Sequence, residues 1–150
     1  MVQDRLRDGT RIAQLVASEL TGDRGALDQV VVAEADPDVE PTPDGAFAYR
    51  VDHIADPAAI AVGDRGGTTV DADAERTTLA SVFVQPERAR VEFVVAPDVA
   101  ADAAAEAELR VRPKAVDPPR TLVFVADGAE AKRVMPVFRT VVAAIDESTD

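Results

Sequence analysis

The chain has 150 residues, with 28 acidic and 16 basic side chains, a formal net charge of −12, one histidine and no cysteine. The missing thiols exclude disulfides, thiolate zinc sites and cysteine nucleophiles, and a single imidazole excludes histidine-rich metal centres. No apolar run reaches the roughly 18 residues of a membrane-spanning helix, and the charged opening MVQDRLRDG lacks the apolar core of a secretory signal.

Taken in chain order, Thr10–Leu20 places Ile12, Leu15, Val16 and Leu20 on one helical stripe, with Asp8 or Thr10 as the cap and Gly22 as the stop. Gln29–Glu34 (QVVVAE) reads as a short strand of the central type, and Asp36–Gly45, with three prolines and four acids, as an exposed loop. Phe47–Ile54 alternates weakly and predicts a strand. Pro57–Val62 is a weaker strand candidate, and Gly63–Arg76 is Gly-rich and then acidic, with little to fold around.

From Thr78 the pattern sharpens. Thr78–Gln85 and Arg90–Ala96 flank the turn Pro86-Glu87-Arg88, with Val91, Phe93 and Val95 on one face and Arg90, Glu92 and Val94 on the other. Pro97-Asp98 opens an Ala-rich helix to about Ala107. Leu109 and Val111 then alternate with Arg110, Arg112 and Lys114, Pro118-Pro119 turns the chain, and Thr121–Ala126 is an apolar strand. Asp127 and Glu130 have capping-box spacing, and the helix behind them carries Met135, Phe138, Val142 and Ile145 on one stripe, with Pro136 kinking it or marking a restart. VEFVVAPDVAADAA and TLVFVADGAEAKRV read as distant copies of one element, which makes the C-terminal half an internal ββα duplication. The expected fold is α+β: one domain over residues 1–150, with an antiparallel or mixed sheet of about five to seven strands and about three helices, mainly on one face. The expected core is Ile12, Leu15, Val16, Val31, Val82, Phe83, Val91, Phe93, Val95, Val123, Phe124, Phe138, Val142 and Ile145.

Fourteen of the bases are Arg, only Lys114 and Lys132 are Lys, and Asn is absent. An Asp-rich, Lys-poor surface has the style of extreme halophiles, where molar salt shrinks the Debye length to about 3 Å and screens self-repulsion. Acidic clusters are then background. Residues 23–75 hold 13 acids and 3 bases, whereas residues 86–139 hold 9 of each.

Against that background the alternating bases Arg110, Arg112 and Lys114 stand out, since on a strand they leave one face at a spacing of about 6–7 Å. Arg88, Arg90 and Arg120 extend the same face. Such a stripe fits a phosphate-bearing ligand, RNA or an acidic protein surface; its bland counterpart is a solvated ladder paired with Glu87, Glu92 and Glu108. Nucleic acid is disfavoured by the net charge and by the lack of a basic motif interleaved with aromatics along the chain. Asp36, Asp38, Glu40 and Asp71, Asp73, Glu75 repeat a D-x-D-x-E pattern without the glycine and distal glutamate of a calcium loop. Gly63–Thr69 lacks the lysine of a phosphate-binding loop. His53 is the one candidate base or ligand-binding imidazole, but Asp52 beside it points to the opposite face of a strand, so adjacency makes no dyad.

RIAQLVASELTG and RVRPKAVDPPRTLVFV resemble segments of small conserved, uncharacterised proteins of halophilic archaea. The resemblance implies a salt-adapted cytoplasmic protein and brings no catalytic residue, cofactor or metal. The functional expectation is a non-enzymatic interaction or accessory protein, a subunit of an assembly or a homo-oligomer. Its competitors are a small ligand-binding domain or enzyme using carboxylate, arginine or His53 chemistry, and, less favoured, a nucleic-acid-associated factor.

Overall fold

The computed structural model describes residues 8–22, 27, 29–36, 38–62, 68–116 and 119–148. The elements run α1 (Gly9–Gly22), β1 (Val30–Ala33), β2 (Ala46–Ile54), β3 (Ile60–Val62), β4 (Thr68–Val70), β5 (Arg76–Gln85), β6 (Arg88–Phe93), α2 (Pro97–Glu106), β7 (Arg110–Lys114), β8 (Arg120–Val125), α3 (Gly128–Arg133) and α4 (Met135–Ser148). Six strands form one antiparallel sheet in the order β1-β2-β5-β6-β8-β7, and β3 with β4 makes a separate two-stranded ribbon behind a 3-10 turn at Pro57–Ala59. The fold is α+β, as the periodicities predict. From β5 onward the order is ββαββα, and the two hairpins meet through β6 and β8.

Local chemistry explains most boundaries. The Asp8 carboxylate accepts from the backbone N–H groups of Thr10 and Arg11 at 3.0 and 3.3 Å, satisfying donors that a helix start leaves free. Gly9 lies so close to the β5–β6 turn that a Cβ would sit 1.8 Å from the Gln85 carbonyl oxygen. The Asp127 carboxylate accepts from Glu130 N–H at 2.9 Å, and Glu130 in return accepts from Ala126 N–H at 2.8 Å, one residue earlier than a standard capping box. α3 and α4 are one helix interrupted at Val134, because Pro136 has no N–H to offer the Lys132 carbonyl.

All the helices cover one side of the sheet. Ala89, Val91 and Phe93 from β6 and Val123 and Val125 from β8 are fully buried beneath Ile12, Val16, Ala100, Ala104 and Phe138. Phe93 and Phe138 meet at 4.9 Å between ring centres. The small side chains of α2, Ala100 and Ala104, let that helix sit close to β7, β8 and α4.

Three expectations need correction. Leu15 is 36% exposed: its stripe lies to the side of the helix that meets the sheet, where Ala13 is buried instead. Val31 and Phe124 are buried as expected and Phe83 is only half-buried; all three lie on the other side of the sheet from the helices, opposite Asp52 and Arg90 in the register. β1 is an edge strand, not a central one; its apolar run reflects burial on both faces. The weak alternation of β2 has a cause: a bulge at Ala48 puts Phe47 and Tyr49 on opposite faces. Tyr49 thereby reaches the helix side, where its hydroxyl donates to the Ala13 carbonyl at 2.6 Å. Residues 63–67, Pro118 and most of the 23–27 loop lie outside the described residues.

Candidate functional site

The face of the sheet away from the helices is assembled by register. One row across the strands reads Phe47, Phe83, Arg90, Phe124 and Arg110, and the next reads Arg50, Ser81, Glu92, Leu122 and Arg112. Antiparallel partners share a face, and alternate residues along a strand do too. Every cationic residue of the six strands therefore lies here: Arg50, Arg76, Arg88, Arg90, Arg110, Arg112, Lys114 and Arg120. The strand carboxylates on this face are Asp52 and Glu92 alone. Eight cations against two anions, on a chain of net charge −12, make this the one strongly positive surface of the sheet.

The centre of the face is internally paired. Asp52, 0% exposed, accepts from Arg50 Nε at 2.8 and 3.0 Å, from an Arg76 Nη at 3.1 Å and from the Thr78 hydroxyl at 3.0 Å. Arg50 also pairs with Glu34 at the rim. The Asp52 hydrogen bond holds the Arg50 guanidinium in its charged form, above its ordinary range, against the opposing effect of burial. Glu92 repeats the arrangement, taking Arg90 Nε at 2.8 Å and an Arg120 Nη at 3.1 Å, while Arg120 Nε is buried with no acceptor. Arg90 also donates to the Asp44 carbonyl at 2.8 Å, an approach open because Gly45 (φ +97°) has no side chain to strike the guanidinium. The guanidinium carbons of Arg88 and Arg90 stand 4.1 and 4.8 Å over the rings of Phe124 and Phe83.

The β7 edge is different. Arg110, Arg112 and Lys114 are exposed and, among the described residues, have neither an ion pair nor a hydrogen-bond partner. The anticipated pairing with Glu87, Glu92 and Glu108 holds only for Glu92, which takes Arg90 and Arg120. The predicted stripe of Arg90, Arg110, Arg112, Lys114 and Arg120 thus lies on one face, divided into a neutralised centre and an uncompensated edge. Arg50, Arg76 and Asp52 were missed in the sequence, although Arg50-Val51-Asp52 and Arg90-Val91-Glu92 carry the same signal, a base and an acid two apart on one strand.

His53 is elsewhere, on the helix side of β2 and opposite Thr77. It is 8% exposed and lines a recess with Gln29, Ala55, Glu75, Arg76, Thr77 and Ile145. Among the described residues no three histidine or acidic side chains converge as a metal site, so the D-x-D-x-E loops stay separate from any such cluster. No described helix is long and apolar enough to cross a membrane.

No curated protein and no solved structure matches this chain. A family model does match, over residues 1–150, and the chain belongs to that family, a family of unknown function (DUF7993).

Proposed function

We propose that this is a non-enzymatic interaction protein, an accessory subunit that holds an acidic protein surface on the open face of its sheet. The observation carrying this reading is the unpaired trio Arg110, Arg112 and Lys114 at the rim of a face with eight cations. The composition suits a cytoplasm of high salt, where a Debye length of about 3 Å removes long-range steering. Binding then rests on direct contact, and arginine forks that seat carboxylates bidentately supply it.

The geometry favours a protein partner over nucleic acid. Phe83 and Phe124 interleave with arginines across the strands, a pattern invisible along the chain, but Arg90 and Arg88 already cover those rings. Phe47, at 39% exposure, is the ring left for stacking, whereas single-strand platforms offer bases several free π-faces.

The test is affinity capture from lysate held at molar salt, with the stoichiometric partner identified and its affinity then measured directly. Replacing both Arg110 and Arg112 by Glu removes two charge-assisted contacts worth about 1.5–3 kcal/mol each, a weakening of at least a hundredfold. Unchanged affinity in the double variant ends this reading. Capture of RNA with the same dependence on the two arginines replaces it with a nucleic-acid role.

A further inference from the structure

The recess beside His53 is independent of the open face and has its own chemistry. It measures about 540 Å³ and lies where the end of β2 and the start of β5 meet the last turn of α4. His53 is more than nine-tenths buried against it, yet among the described residues neither ring nitrogen has a hydrogen-bond partner. The ring carbons are enclosed while the ring nitrogens are not sealed from water, so the nitrogens open onto the recess and are free to bond a ligand there.

The other walls say what that partner is. The Gln29 side-chain nitrogen donates to the Ile54 and Ala55 carbonyls at 2.8 and 3.2 Å, which leaves its oxygen as the free atom. Glu75 contributes a carboxylate with no ion pair among the described residues, and Thr77 a hydroxyl that can accept. Arg76 is also in the wall, but its guanidinium is held by Asp52 on the open face of the sheet. The last turn of α4 has no basic residue, so the negative end of its dipole is left uncompensated nearby. Acceptors dominate the polar wall; Ala55 and Ile145 form the apolar one.

We infer that this recess binds a small organic cation, a primary alkylamine in its ammonium form. The ammonium donates to the Gln29 oxygen, the Glu75 carboxylate and the lone-pair nitrogen of His53, and the alkyl chain lies against Ala55 and Ile145.

The single histidine makes the test direct, since the protein has one set of imidazole NMR signals. The intact protein is titrated at fixed pH and salt with methylamine, n-butylamine and sodium butyrate. The expected result is a saturable shift of the His53 signals with both amines and none with butyrate. Butylamine should bind about tenfold or more tighter than methylamine, because each buried methylene contributes about fourfold. Glu75→Gln, at an exposed position, should weaken butylamine about tenfold while leaving the spectrum folded, and the Arg110→Glu, Arg112→Glu double variant should leave it unchanged. A saturable response to butyrate, the absence of saturation with either amine, or an equal affinity for the two amines overturns the assignment.

Discussion

The two sides of the sheet bury their apolar side chains in different ways. On the helix side Val91, Phe93, Val123 and Val125 are sealed at 0% exposure by other apolar side chains. On the open side Leu122 and Phe124 are nearly as buried, at 6% and 9%, but what lies over the Phe124 ring is the guanidinium of Arg88, 4.1 Å from its centre. The same strands supply both. The helix side needs close packing in a dry interior; the open side needs cations whose charges are met or hydrated. Low exposure alone does not separate a folding core from a binding face. The identity of the covering atoms does.

Truncating one phenylalanine on each side gives the largest contrast. Phe93→Ala leaves a cavity against Phe138 and should cost about 3–5 kcal/mol, read as a lower urea midpoint. Phe47→Ala removes a half-exposed ring that meets Phe83 edge-on at 5.9 Å and should cost about 1 kcal/mol or less. Equal losses would mean that the open side is a second core and the distinction is false.

The ion pairs of the open side sharpen the point. Asp52→Ala leaves Arg76 without its carboxylate and Arg50 with Glu34 alone; their side chains are 31% and 26% exposed, so water meets part of their need. The expected loss is about 2 kcal/mol, below the 3–5 of a fully buried broken pair. Glu92→Ala should cost about half as much, since its side chain is 10% exposed and has no third donor like Thr78.

Tyr49 probes the helix side by pH. Burial pushes its phenol far above the usual value of 10.0. A raised folded-state value means that the fold favours the protonated phenol. That contribution is complete below about pH 10 and is lost as pH climbs towards the folded value. The chain has one tyrosine and no tryptophan, so the phenolate absorbance band reports this residue alone. Above pH 10 the band should stay absent in native protein and appear together with the loss of helical circular dichroism. A phenolate that forms while the helices remain would show that Tyr49 is open to solvent.

What could be read from the sequence was local. The Asp8 and Asp127 caps, the Pro86-Glu87 turn, the Pro136 break and the division of β6 into Val91/Phe93 and Arg90/Glu92 faces need only neighbours within a few residues. The sheet order is not local. It moves QVVVAE to an edge, and it sets Phe124 beside the Phe83–Arg90 hairpin pair although Phe124 is far from both in the chain. The bulge at Ala48 hid the strand period and sent Tyr49 to the core. Most of the basic face was legible because β6 and β7 alternate on their own; the Asp52 cluster was missed because Arg76 and Thr78 reach it from another strand.

The smallest expected effect concerns the β7 edge. Arg110, Arg112 and Lys114 meet no described carboxylate, so Arg110→Glu with Arg112→Glu breaks no pair, and surface changes of this kind stay within about ±0.5 kcal/mol. The thermal midpoint at high salt should therefore stay within a few degrees of the parent's. A large destabilisation would mean that the trio is holding the sheet together, and the edge would then belong with the paired centre. Unchanged stability leaves three clustered positive charges that folding does not explain, on a protein whose composition otherwise avoids them.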